Sequence, residues 1–479
     1  MKDAVELKPM TTAIVWFRND LRLHDHEALT KAISSHNLVI PFYCFDANQF
    51  SEDEYGFKKT DAIRAQFLLE SVQNLKENLR KRGSNLVIRF GNPAQEIEQL
   101  VKEYKVDEIF AYKEVTAEEK AVERELEQFV SIKVNYSFGA SLYHVNDLPF
   151  HFNDIPKVFT AFRKAVEKQS KVREQFPIPT TIKSPENIIW GNALKLADLG
   201  LKNQPIDKRA VIDFKGGEDE GLARLNHYFY DTEKLSSYKE TRNGLIGADY
   251  SSKLSVWLWN GCISPRKIYW EVAKYEKSIK KNQSTYWLVF ELIWRDFFKY
   301  IGLKHGANIF KLTGINGKSE KWKKDKNRFK KWATGTTGIP FIDANMRELN
   351  LTGFMSNRGR QNVASFFVTE LGLDWRMGAA YFESKLLDYD VTSNYGNWMY
   401  IAGVGNDPRD RYFNIILQAK RYDAKGDYIR LWLPELADLT DTIHHPWTKS
   451  NELFQAESFD LDKNYHLPMV TPSYWEKHY

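Results

Sequence analysis

AIVWFRNDLRLHDHEALTKAISSHNLVIPFYCF, residues 13–45, begins and ends on the two runs that decide the fold. AIVWF (13–17) and LVIPFYCF (38–45) are short, β-branched and aromatic, and read as strands. NLVIRF (85–90), DEIFAY (107–112) and IKVNYSF (132–138) repeat the pattern. Amphipathic helical stretches separate them. In 60–82, Ile63, Phe67, Val72, Leu75 and Leu79 fall on one helical face, and Gly83 ends it. Strand and helix in alternation predict a doubly wound parallel sheet, an α/β domain over residues 1–147. No GxGxxG follows the first strand and no GxxxxGK[ST] occurs anywhere, which leaves neither a dinucleotide fingerprint nor a P-loop, while a pocket at the sheet edge stays open.

Residues 148–205 are rich in Pro, Lys and Asn, as in FPIPTTIKSPENI (176–188), and read as a surface linker carrying a helix at 156–168. From 206 to 479 strand patterns disappear. Periods near 3.6 predict helices over 221–235, 265–279, 285–303, 327–333, 341–349, 357–371, 376–387 and 410–423, hence an all-helical C-terminal domain.

The chain has 479 residues, 43% hydrophobic and 27% charged, and no apolar run approaches a membrane span of about 18 residues. Its start, MKDAVELKPMTTAIVWF, has charge and proline where a signal peptide has its apolar centre, and Cys44 and Cys262 form no spaced pair. A reduced, cytoplasmic setting is expected. The net charge of +5 permits a polyanionic partner. Of fourteen tryptophans only Trp16 precedes residue 150, so the two halves are built for different tasks.

LLDYDVTSNYGNWMY (386–400) crowds two aspartates, two asparagines, three tyrosines and a tryptophan together. Asp388 and Asp390 suit a metal, an acid/base pair or a polar cofactor. The metal is excluded by the absence of HExxH, CxxC and calcium-loop spacing, and no GxSxG or paired Cys/His signature supports covalent catalysis. YSSKLS (250–255) offers three hydroxyls, a lysine and backbone N–H groups, as a phosphate cradle or merely a serine-rich N-cap. ELIWRDF (291–297) sets Glu291 and Arg295 four apart beside Trp294, either as a surface i,i+4 pair or as partly buried charges awaiting a ligand. MSNRGRQN (355–362) adds Asn357, Arg358 and Arg360, with Asp388 a natural counter-charge for one of the arginines. Together they predict one polar cleft. KWKKDKNRFKKW (321–332) carries seven basic residues against one acid, as a DNA-backbone contact or a solvated helix face.

WFRNDLRLHDHEAL (16–29), VFTAFRKAVEK (158–168), SSYKETRN (236–243), ELIWRDFF (291–298), TGFMSNRGRQNVASF (352–366), LDYDVTSNYGNW (387–398), AGVGNDPR (402–409) and LWLPEL (431–436) make the chain resemble, over nearly its whole length, the photolyase/cryptochrome family, and the DASH-type cryptochromes most closely. The resemblance implies one FAD per chain, folded into a U in the helical domain. It places Tyr238, Ser251, Ser252, Leu254 and Ser255 at the FAD phosphates, and Arg295, Asn357, Arg360, Asp388, Asp390 and Asn394 around the isoalloxazine, ribose and adenine. Asn394 falls where the family faces flavin N5 with a residue that favours a reduced flavin. Trp332, Trp375 and Trp398 match the family's electron-transfer chain from the surface.

The implied reaction is blue-light repair of cyclobutane pyrimidine dimers by an electron from excited reduced flavin. Glu291 matches the residue that hydrogen-bonds the dimer, Asn357 assists, and Trp294 matches a lesion-stacking tryptophan. Tyr400 stands where duplex-active dimer photolyases carry a second tryptophan, which predicts a preference for single-stranded DNA, with weak duplex DNA or RNA binding. Ser356, Asn357 and Gln361 occupy a turn where (6-4) photolyases need histidines. A methenyltetrahydrofolate antenna is expected in the N-terminal domain, held by Glu118, with Glu119 as the alternative. The expected protein is a monomer that makes no membrane contact. The competing functions are a blue-light photoreceptor and a DNA-binding regulator, and the forty or so residues after LWLPEL speak against a large signalling tail.

Overall fold

In the computed structural model the chain alternates strand and helix from Thr12 to Ser137, as the apolar runs predict. The structure describes residues 10–318, 321–406, 412–448 and 461–479. The first residues of the start read for a leader, and the end of AGVGNDPR, lie outside these. Strands β1 (Thr12–Phe17), β2 (Leu38–Asp46), β3 (Val87–Gly91), β4 (Glu108–Tyr112) and β5 (Lys133–Ser137) form one parallel sheet in the order β3-β2-β1-β4-β5. The chain steps outward from β1 to β3 and then returns to place β4 on the other flank of β1. The carboxyl ends of β1 and β4 therefore mark the switch point at which open α/β sheets bind ligands.

Side chains alternate along β1. Ile14 and Trp16 enter a core on one side of the sheet, with Phe42, Val87, Ile109 and, from the linker, Ile188. Ala13, Val15 and Phe17 enter another that continues without a break into Trp257, Phe297 and Tyr300 of the helical region. The two regions thus share one apolar core. Polar ties reinforce it. Asp296 is fully buried and accepts backbone N–H bonds from Leu142 (2.9 Å) and Tyr143 (2.8 Å). Asp25 accepts from both arms of Arg266 (2.6 and 2.9 Å), and Arg22 donates to Gly261 O (2.9 Å). The conspicuous polar residues of WFRNDLRLHDHEAL therefore join the two regions.

The linker helix runs Phe159–Gln169. The long helix Gln283–His305 begins at an Asn282 cap, whose side chain accepts from Ser284 N and Thr285 N. Around it lie Pro265–Ser278, Pro340–Thr352, Asn357–Ser365 continuing through Phe366–Glu370, Trp375–Lys385 and Val391–Ile401. Of the helix expected over 410–423, positions 410 and 411 lie outside the described residues, and in the remainder it starts at Ile415, behind its Asn414 cap. Val391–Ile401 and the short Asp427–Trp432 are helices that the periodicity does not reveal. Valine, asparagine and glycine make the former a poor helix by propensity, but Asp390 caps it by accepting from Ser393 N (2.9 Å). Its Gly396 lies so close to Phe298 that a Cβ would overlap the ring, and Gly378 likewise makes room for Trp398. Packing overrides propensity here.

Candidate functional site

These helices enclose a cavity of about 510 Å³. Tyr238, Ser251, Ser252, Leu254, Ser255, Glu291, Trp294, Arg295, Asn357, Arg360, Asp388, Asp390, Asn394, Trp398 and Tyr400, all named from the sequence, line it. One polar cleft is what the sequence predicted, and the cavity brings these groups together.

Glu291 and Arg295 do not form the i,i+4 pair open to them on paper. Arg295 turns to Asp390 (3.1 Å) and donates to Ala140 O and, at 3.3 Å, to Leu258 O. Burial opposes ionisation of Asp390, but the Arg295 and Lys299 cations and the Ser393 N–H prevail and hold its carboxyl at about 2. Arg360 Nη2 lies 2.9 Å from Asp388 Oδ1, the counter-charge expected, and Ser255 Oγ donates to Asp388 Oδ2 at 2.7 Å.

The YSSKLS turn is not the serine N-cap of the plain reading. Leu254 occupies the cap of the short helix Ser255–Leu258 with no side-chain bond, and the Ser255 hydroxyl goes to Asp388 instead. Lys253 has a left-handed backbone, φ +57°. Its ammonium donates to Ala248 O (2.6 Å) and lies 3.4 Å from the centroid of the Tyr250 ring. Burial, helped by Arg224, lowers it to about 7. The lysine braces the turn, and the serines and backbone face the cavity.

Asn394 is buried and its Nδ2 donates to Ala379 O (3.0 Å), so its carbonyl oxygen remains for the cavity. At the mouth, Glu291 pairs with Arg242. Burial raises its pKa, and Arg242 and Trp287 oppose the rise. Trp294 lies nearly parallel to Phe159, ring centroids 3.6 Å apart and planes at 10°, and Tyr400 stands edge-on to it at 5.9 Å. One face of the Trp294 indole is therefore covered.

Behind the cavity Trp398 and Trp332 are ring neighbours at 6.2 Å, with Phe367 touching both. Trp375 contacts Tyr395 at 6.1 Å and donates to Leu312 O at 3.1 Å. All three tryptophans are buried, at 0–2% exposure, so none reaches the surface itself.

The acids expected near the antenna differ sharply. Glu118 is exposed and paired with Lys59 (2.9 Å). Glu119 is half-buried near the sheet switch point, accepts from Thr116 Oγ1 at 2.5 Å, and is pushed up to about 8 by desolvation and by Glu114. In KWKKDKNRFKKW, Lys326–Thr334 is helical, Trp332 is buried and the lysines are exposed, none of them lining the cavity. No group of three potential metal ligands and no helix apolar enough to cross a membrane occurs among the described residues.

Several lining residues escape sequence reasoning, among them Trp259, Leu288 and Phe382. The Tyr250 hydroxyl, the Trp259 N–H and Gln361 Oε1 are buried with no partner in the protein. Orphaned polar groups around an ion-paired cavity are those of a binding site for a large, polar, partly aromatic molecule.

The fold and this cavity define a two-domain flavin-binding protein of the photolyase type. Residues 13–181 match the DNA photolyase model and residues 287–478 the FAD binding domain of DNA photolyase. The chain belongs to the photolyase/cryptochrome family, and it is similar over most of its length to DASH cryptochromes. It is 51% identical to Cryptochrome DASH of Gloeobacter violaceus, covering 91% of this chain and 88% of the relative, and 48% identical to Cryptochrome DASH of Xenopus laevis, covering 98% and 92%. The crystal structure of the Synechocystis sp. cryptochrome superposes with a TM-score of 0.94 at 47% identity, covering 98% of each chain.

Proposed function

We propose that this protein repairs cyclobutane pyrimidine dimers in single-stranded DNA, driven by blue light and by FAD held in the helical-domain cavity. The observation that carries the reading is the meeting of Glu291, Asn357, Trp294 and Tyr400 with Arg360, Asp388 and Asn394 in one cavity. The serines and backbone of 251–255 suit the FAD phosphates, and the two ion pairs and orphaned polar groups suit its flavin, ribose and adenine. Reduced FAD supplies, on excitation, an electron that opens the cyclobutane ring and then returns, so that no net redox change results.

The chain's own groups bind, orient and tune. Asn394 presents a neutral carbonyl oxygen, which accepts a hydrogen bond from a protonated ring nitrogen and favours the reduced cofactor. Burial keeps a proton on Glu291 to higher pH than usual, so the carboxyl can donate to a pyrimidine carbonyl as negative charge develops there. Asn357 supplies a second donor, an amide. Trp332, Trp375 and Trp398 would pass electrons towards an oxidised flavin, and since none is exposed, the first transfer from a reductant in solvent would pass through a neighbouring group.

The single-strand preference follows from the mouth. With Phe159 covering one face of Trp294 and Tyr400 in place of a larger indole, a flipped dimer is gripped by little aromatic surface. That grip offsets less of the few kcal/mol needed to extract a dimer from duplex. A methenyltetrahydrofolate antenna belongs to the same reading, near Glu118 and Glu119 at the start of the helix Ala117–Phe129.

The test is reduced protein, blue light and one dimer-containing oligonucleotide offered single-stranded and as duplex. Lesion loss is expected mainly in the single strand, and none in either removes the enzymatic reading.

A further inference from the structure

Along one lip of the cavity and beyond it runs a band of aromatic rings and cations. Trp287 is half-buried on the helix Gln283–His305, four and seven residues before Glu291 and Trp294 and therefore on their face. Its ring lies 4.8 Å from that of Phe290, which lines the mouth. The Lys239 ammonium is 4.9 Å and the Arg242 guanidinium 5.8 Å from the indole centroid. Beyond Arg242 the lip continues to Arg358, stacked on Tyr422 at 4.5 Å, with Arg421 on the same ring at 5.5 Å. Burial lowers the Arg358 pKa, and the nearby Arg242 and Arg421 lower it further. Among the described residues no ion pair joins Arg358 or Arg421 to an acid. Cations alternating with aromatic faces, continuous with the mouth of the cavity, fit a strand of nucleic acid with unpaired bases.

We propose that Trp287 is a stacking platform for the nucleobase beside the flipped dimer, and that it selects single strands. The inference rests on the DNA-repair reading above and adds to it a contact outside the cavity. In a single strand the flanking base is free to lie on the indole while Lys239 meets its phosphate. In duplex that base must first leave its partner and its stack, which cancels the gain. Selectivity then depends on two aromatic surfaces, Tyr400 within the mouth and Trp287 beyond it, acting on neighbouring nucleotides.

The test uses the flavin-loaded protein in the dark with undamaged oligothymidylate, free and annealed to oligodeoxyadenylate, by fluorescence anisotropy over a salt series. Trp287→Ala should weaken single-strand binding about tenfold and leave duplex binding within about twofold, with an unchanged salt slope because a stacked base carries no charge. Trp287→Phe should stay close to wild type, since it keeps an aromatic face and loses only the indole N–H that faces Glu291. Lys239→Gln should reduce the single-strand salt slope by about 0.7. If Trp287→Ala weakens both forms equally, or neither, the platform is overturned, and Trp287→Phe decides the question should the alanine variant not fold. Dimer repair by the wild type is measured separately: its absence removes the function proposed above, whereas intact repair with unaltered binding by Trp287→Ala removes only the platform.

Discussion

Glu291 and Arg295 share one face of the helix Gln283–His305, and each is bonded to a different element, Glu291 to Arg242 and Arg295 to Asp390. The arrangement separates two tasks. One carboxyl is held in the mouth with its proton within reach, and the other is held ionised beneath the cofactor site.

The first task makes repair sensitive to pH. Burial raises the Glu291 pKa and Arg242 restrains the rise, so the carboxyl donates below that pKa and loses its proton above it. Repair yield should fall as pH rises through it. Arg242→Gln removes the restraint and should move the fall to higher pH. Glu291→Gln should lower the yield roughly tenfold and abolish the fall, about one charge-assisted hydrogen bond. Yield against pH for the three proteins checks this, and identical profiles would exclude Glu291.

Asp390 behaves in the opposite sense. Held at about 2 against an unfolded value of ~3.9, it contributes stability above pH 4 that is lost as pH falls from about 4 to about 2. Asp390→Asn leaves Arg295 without its carboxylate partner and should cost about 3 kcal/mol. Acid titration of the flavin-loaded protein should show earlier cofactor release in the variant near neutral pH and a weaker acid-dependent loss.

Trp398 is tested by photochemistry. Trp398→Phe should slow photoreduction of oxidised flavin by a thiol at least about tenfold, while repair by chemically reduced protein stays near wild type, because about 1–3 kcal/mol of repacking does not empty the cavity. Photoreduction at the wild-type rate would remove this tryptophan from the electron path.

The antenna acids separate in the same way. Glu119, with its pKa pushed up to about 8, keeps a proton to higher pH than an ordinary carboxyl, whereas Glu118 is already paired with Lys59. If the folate uses the half-buried group, Glu119→Ala should abolish its near-ultraviolet absorbance and Glu118→Ala should leave it. The reverse outcome assigns the site to Glu118.

The sheet was legible because its strands are apolar and β-branched, and 13–17 and 38–45 differ from the observed β1 and β2 by one residue at one end of each. The helix Val391–Ile401 was not, since its stability lies in contacts such as Gly396 against Phe298 that local sequence does not display. The site was legible as a set of residues. Its bonding was only partly so: the Arg360 and Asp388 charges suggested each other, but Ser255 meets Asp388 across 133 residues, and Glu291 meets Arg242 across 49. The inward turn of Lys253 depends on its left-handed backbone, which no composition reveals.

The core that joins β1 to Trp257 and Phe297 bears on any attempt to miniaturise the protein. Cutting the chain in the linker would leave each half with a raw apolar face where the other had been. A recombinant fragment ending or beginning there should aggregate, even if its share of the cavity residues is complete. The sheet and flavin-binding halves therefore have to be engineered together, and exchange between relatives should succeed only when both sides of that shared core travel as a unit.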